Sequence, residues 1–153
     1  MVPQKVQTIL AAHGLEAREF EPGSTPTVEL AARRLGVEPA RIAKSLLFKN
    51  KAGNLFMVVC TGDKRISSAT LRQVLGSKVS MTDAEETEKA TGFRPGGVCP
   101  FGLEGVEIVL DQDLGRYATV FPAAGNDATG VAVTLDQLAR ITGGRIADFG
   151  AAV

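Results

Sequence analysis

The chemistry open to this chain is narrow. It holds a single histidine, His13, so a histidine-dependent triad, or a zinc site with histidine ligands, would have to use that one residue. His13 falls where a helix is predicted to end, a position at which an imidazole commonly meets the last carbonyls, which favours a structural role. There is no GxxxxGK[ST] loop, no HExxH, no GxSxG elbow and no GxGxxG after the first predicted strand. Glu85, Glu86 and Glu88 resemble an acid cluster, but the charged first turn of a capped helix accounts for them. Cys60, in an apolar run, reads as a core residue, whereas Cys99 lies among glycines and backbone amides, where a thiolate could react. Lys44 and two glycine-rich turns remain.

The first of those turns, Thr91 to Leu103 (TGFRPGGVCPFGL), concentrates Gly96, Gly97, Gly102, Pro95 and Pro100 in a span that no regular helix or central strand tolerates. Glycine lets backbone N–H groups approach a ligand and proline limits rearrangement, so the composition suits a rigid cradle of amide donors. It suits a plain helix-to-strand connection equally well. The second turn is Ala124-Gly125-Asn126-Asp127.

The elements that must position these residues follow from periodicity and caps. Val6, Ile9 and Leu10 predict a helix over 3–13, and Glu16 to Phe20 a short strand. Thr25 or Thr27 caps a helix ending at Gly36, and a short helical turn follows from Pro39 to about Lys44. Residues 45–49 and 54–61 flank Asn50-Lys51-Ala52-Gly53 as a hairpin, so Lys44 is expected at a helix-to-strand junction. Ser67 or Ser68 caps a helix ending at Gly76, and Val79 to Met81 is a strand. Thr82 with Glu85 makes a capping box for a helix stopping at Gly92. Strands are then expected over 106–111, 119–123 and 130–133. A Thr134/Gln137 capping box opens a helix ending at Gly143, and a strand follows over 145–148. Strands neither strictly alternate with helices nor form only hairpins, so the expected fold is α/β (α+β), one domain over residues 1–153. It has a single mixed sheet, curled or barrel-like, surrounded by helices.

With 153 residues, 44% of them hydrophobic, the chain can bury about 70% of its unfolded surface without disulfides. Cys60 and Cys99 match neither a CxxC nor a zinc spacing, and no leader pattern is evident, so reduced thiols in a cytoplasmic protein are expected. The longest strongly apolar run, Leu55 to Cys60, is too short for a bilayer, so no membrane partner is expected. Net charge is zero, but Arg33 to Lys78 carries ten basic residues against only Glu38 and Asp63. Val79 to Asp113 carries eight acidic residues against Lys89 and Arg94. Such segregation presents a basic face to a polyanion, or simply solvates helix and hairpin faces.

Taken together, Ile42-Ala43-Lys44-Ser45-Leu46-Leu47-Phe48, Thr91-Gly92-Phe93, Gly96-Gly97-Val98-Cys99-Pro100-Phe101-Gly102, Ala123-Ala124-Gly125 and Leu138 to Gly144 resemble the YbaK-like, prolyl-tRNA synthetase-associated aminoacyl-tRNA deacylase family, in order and spacing over nearly the whole chain. The resemblance implies an editing domain that acts in trans. Its reaction would be hydrolysis of the ester between a wrong, small amino acid and the 3′-terminal adenosine of tRNA, with tRNA-Pro the expected carrier. It implies Lys44 as the main functional side chain and the Gly96 to Pro100 loop, with Gly96 and Gly97, as the backbone cradle. Thr25, Thr27, Phe93, Val98, Cys99, Pro100, Phe101, Gly125 and Asn126 are the implied substrate contacts, and Arg33, Arg34, Lys64 and Arg65 the implied tRNA contacts. No metal or cofactor is implied, and the terminal ribose hydroxyl of the substrate would help to activate the attacking water. The expected partners are the acceptor end of aminoacyl-tRNA and an aminoacyl-tRNA synthetase. Two other readings compete: a non-catalytic tRNA- or synthetase-binding adaptor of the same fold, and a thiol enzyme using Cys99.

Overall fold

The computed structural model describes residues 1–150. Helix α1 (Gln4–Ala12) leads to a two-residue strand β1 (Arg18–Glu19) and helix α2 (Val28–Leu35), which is capped by Thr27 and closed by Gly36 in the left-handed conformation. A 3-10 turn (Pro39–Arg41) enters the hairpin β2 (Ala43–Asn50) and β3 (Leu55–Thr61). Helix α3 (Ser68–Leu75), capped by Ser67, leads to β4 (Val79–Met81) and α4 (Ala84–Thr91). Strand β5 (Val106–Asp111) runs into a 3-10 turn (Gln112–Arg116), and β6 (Thr129–Gly130), α5 (Leu135–Thr142) and β7 (Arg145–Ala147) complete the order. Among the described residues no helix is long and apolar enough to cross a membrane.

The main sheet has five strands in the order β4-β2-β3-β5-β7. Strands β2 and β3 pair antiparallel, as do β2 and β4, while β5 joins β3 and β7 in parallel. Strand β3 is central and apolar on both faces, as such a position demands. Met57 and Val59 face a core shared with α1, α5 and the glycine loop, and Phe56 and Val58 face a second core under α3. A third cluster packs Ala31, Ala32 and Leu35 of α2 against Ile42 and Phe121. Each large apolar side chain removed from water contributes about 1.5–3 kcal/mol, so these three clusters hold the layers together.

The structure corrects four local expectations. The sheet is not single, because β1 and β6 form a separate two-stranded antiparallel pair. Residues 119–123 and 131–133 make only isolated bridges, Ile42 to Phe121 and Val120 to Val133, since Pro122 has no N–H with which to extend a ladder. The α4 capping box uses Asp83 and Glu86 rather than Thr82 and Glu85. Thr82 instead continues the β4 edge, its N–H and hydroxyl both donating to the Leu47 carbonyl. Finally, the turn after Pro39 ends at Arg41, so Lys44 is the second residue of β2 and not a junction residue. His13 closes α1 through its backbone N–H, which bonds to Leu10 O.

Candidate active site

The glycine loop is pinned from both sides before it reaches solvent. Gly92 ends α4 at φ +81°, and the Phe93 N–H returns to Thr91 Oγ1 at 3.0 Å. Phe93, Cys99 and Phe101 are buried in the main core. From α1, Lys5 Nζ reaches Thr91 O (3.2 Å) at one end of the loop and Gly102 O (3.5 Å) at the other. Gly96 takes φ +93°, where an L side chain is strained. Gly97 is needed for another reason: a Cβ there would lie 2.4 Å from Asn126 Cα. The two glycine turns are therefore in backbone contact, and Asn126 is itself fixed by Ala128 N–H on Oδ1 and by Nδ2 donating to Met1 O.

A cavity of about 360 Å³ opens between this loop, the start of α2, the start of α4 and the edge of β2. It is of the size that holds a small organic group. Its lining includes Lys44, Thr25, Thr27, Gly96 and Val98 from the expected set. Thr25 Oγ1 accepts from Thr129 N–H at 3.2 Å, and Thr27 caps α2 through Leu30 N–H. Phe93, Cys99, Pro100 and Phe101 lie behind the wall rather than on it, with Phe93, Cys99 and Phe101 in the core. Gly97, Gly125 and Asn126 also stand outside the lining and act on it by fixing the loop.

The edge of β2 supplies what sequence reasoning missed. Ala43 N–H donates to Phe121 O, and Leu47 O accepts from Thr82 N–H, so by the two-residue alternation of a strand the Ser45 peptide also faces the cavity. Strand β4 covers β2 only at Phe48–Asn50, which leaves this stretch of edge open. The Ser45 hydroxyl is buried and, among the described residues, has no hydrogen-bond partner. Ser45 adjoins Lys44 in the IAKSLLF segment, where only the lysine carries a charge that marks it in the sequence. Thr82, Asp83, Ala84 and Thr87 also line the cavity, and nothing in their sequence pattern distinguishes them from an ordinary helix start.

Lys44 is half-buried, and its Nζ donates to the backbone carbonyl of Lys64. In the loop, the Gly97 N–H already bonds to Arg94 O at 3.0 Å. Among the described residues the N–H groups of Gly96 and Val98 donate to no protein acceptor. The amides open to a ligand are thus those on either side of Gly97, not Gly97 itself.

The remaining candidates divide by exposure. Arg33, Arg34 and Arg65 are exposed, with Arg34 paired to Glu21 at 3.3 Å and stacked over Phe20. Lys64 is corrected: it is only 3% exposed, and its Nζ is 2.7 Å from both Asp111 Oδ2 and Asp113 Oδ2. A lysine so enclosed meets no phosphate. Burial alone would lower its pKa, but the hydrogen bonds and charges of Asp111 and Asp113 hold it above the ordinary lysine value. The thiol reading is corrected as well. Burial pushes Cys99 up to about 12, and Cys60 likewise, so neither is a thiolate near neutral pH.

This geometry matches known proteins. The family model described as "Aminoacyl-tRNA editing domain" matches residues 22–141. The uncharacterized protein YwhH of Bacillus subtilis (strain 168) is 40% identical over 128 residues, covering 83% of this chain and 81% of that one. A proline–tRNA ligase of Desulforamulus reducens is 32% identical over 115 residues, which are 70% of this chain but 20% of the ligase. The crystal structure of a candidate trans-editing enzyme for prolyl tRNA synthetase superposes with a TM-score of 0.86 at 31% identity, covering 97% of this chain and 96% of that one. By sequence and by fold, this chain belongs to the aminoacyl-tRNA editing domain family.

Proposed function

We propose that this chain is a single editing domain that acts in trans, hydrolysing the ester between a wrongly attached small amino acid and the 3′-terminal adenosine of tRNA, with tRNA-Pro the expected carrier. The observation that carries the proposal is one cavity lined together by Lys44, Ser45, Gly96 and Val98. Family membership and the likeness to a candidate trans-editing enzyme support the same reading.

Ester hydrolysis passes through a tetrahedral oxyanion. The Gly96 and Val98 amides, held by a loop that cannot easily rearrange, are the proposed donors to it, and one such donor contributes about 2.7–4 kcal/mol in the transition state. Lys44 acts as a point charge that places the terminal adenosine or its phosphate against the loop. Ser45, on the same strand edge, offers its peptide to the amino acid's polar atoms. The walls contributed by Val28, Ala31, Leu35, Ile42, Val98 and Phe121 leave apolar space for a short side chain. No histidine lines the cavity, and the carboxylate of Asp83, which does, accepts the Glu86 N–H as a helix cap. The substrate's own ribose hydroxyl, the group that the family resemblance implies, is proposed to assist the attacking water.

The test is deacylation of tRNA-Pro charged with alanine, cysteine or serine. The parent protein should release at least one of them, and Lys44→Ala should release none at a comparable rate. Full activity of Lys44→Ala would remove Lys44 from the site. Intact tRNA binding with no release from any member of the panel would favour the adaptor.

A further inference from the structure

Outside the cavity, the protein's most enclosed charges meet at the far end of β3. The Lys64 N–H donates to Thr61 O at 3.0 Å, closing a turn as the strand ends. The Lys64 side chain then runs inward, and its ammonium meets Asp111, Asp113 and the Gly150 carbonyl at 2.7, 2.7 and 2.8 Å. Asp113 and the Gly150 carbonyl accept hydrogen bonds from it, and Asp111 faces it as an ion pair. Asp111, fully buried at the end of β5, is fixed in turn by accepting the Asp113 N–H on Oδ1 at 3.1 Å. One cluster thus ties together the ends of β3 and β5 and the C-terminal segment.

Burying such a cluster is not the obvious way to stabilise a core, because apolar side chains of similar volume commonly serve as well or better. The charges hold the Lys64 side chain at fixed partners, beside the turn that carries the Lys64 carbonyl. The carbonyl of that residue accepts the Lys44 ammonium. The β2–β3 register sets Lys44 opposite Cys60, so the flexible lysine stem leaves β2 beside the end of β3 and is caught by the turn that the cluster holds.

We propose that Lys64, Asp111 and Asp113 are positioning residues that set the direction of the Lys44 ammonium through the Lys64 carbonyl. The inference rests on the function proposed above for Lys44. Lys64, expected from sequence to bind tRNA phosphate, takes instead an internal role one step removed from the substrate.

Two variants test it. Lys64→Met combined with Asp111→Leu replaces the buried charges by apolar groups, and Asp113→Asn removes one charge at a partly exposed position while keeping its shape. Thermal melts select the variants that remain cooperatively folded, and Asp113→Asn carries the test if the double variant does not fold. Deacylation of the charged tRNA-Pro released by the parent should show kcat lower by about 10- to 100-fold, the scale of a misplaced reacting group, with KM little changed. In a Lys44→Ala background the same changes should lower kcat no further. The ε-carbon resonance of Lys44, followed by NMR in protein with labelled lysine, should move in each folded variant. An unshifted Lys44 resonance, or a loss of kcat that persists in the Lys44→Ala background, overturns the proposal. Should Lys44→Ala prove fully active, the functional reading falls, while the resonance still decides whether the cluster holds Lys44.

Discussion

Replacing Gly97 by alanine probes the contact on which the cavity rim depends. Gly97 is not in the left-handed region, so the substitution introduces no backbone strain of its own. Its Cβ would instead stand 2.4, 2.6 and 2.8 Å from the Cα, N and C of Asn126, where ordinary contact begins at 3.4 Å. Backbone meets backbone, so no side chain can swing aside, and the two turns must part by about 1 Å. Overpacking of this kind costs about 1–3 kcal/mol. For a chain of this length each kcal/mol lowers Tm by about 2–4 °C, so a fall of about 2–12 °C is expected. The displacement is passed directly to Gly96 and Val98, and misplacing reacting groups by an ångström costs about 100-fold in rate. Calorimetry and deacylation of charged tRNA-Pro measure the two effects. Gly53→Ala is the control: its φ of +89° predicts a comparable strain of about 1–2 kcal/mol, but in a hairpin turn remote from the cavity, so activity should survive. A Gly97→Ala protein with unchanged Tm and unchanged rate would refute the claim that the two turns are in contact.

Other outcomes follow from the charges and thiols. Folded Lys64 holds its proton more tightly than unfolded Lys64, so its contribution to stability is complete below the ordinary lysine pKa and is lost as pH rises through the raised folded value. Urea midpoints should therefore fall more steeply in the alkaline range for the parent than for Lys64→Met/Asp111→Leu, and parallel curves would contradict the sign. Iodoacetamide at pH 8 should label neither Cys60 nor Cys99 until the chain is unfolded, since both are buried with thiols pushed up to about 12; rapid native labelling of Cys99, read by mass spectrometry, would place it outside the core. Arg33→Ala, Arg34→Ala and Arg65→Ala should each weaken tRNA binding and reduce the slope of log K against log salt by about one unit. If the slope stays constant in all three, the basic face lies elsewhere.

The sequence by itself determined most of the elements and the family. The cap at Thr134, caps narrowed to Thr25 or Thr27 and to Ser67 or Ser68, stops at Gly36, Gly76, Gly92 and Gly143, and the turn at residues 50–53 are local signals, because each is set by the dihedral or hydrogen-bonding needs of a few adjacent residues. It also singled out Lys44 and the Gly96–Gly97 turn. Only the tertiary structure decided which of the residues around them reach the cavity. Phe93, Cys99 and Phe101 look like pocket residues in a glycine loop, yet strand and helix packing draw them into the core. Lys64 looks like a surface cation among basic neighbours until β5 brings Asp111 and Asp113 beside it across 47 and 49 residues of chain. Ser45 looks unremarkable until β4 stops short of it and leaves its strand edge open. Burial and pairing of charge are properties of distant segments meeting, and no spacing within one segment encodes them.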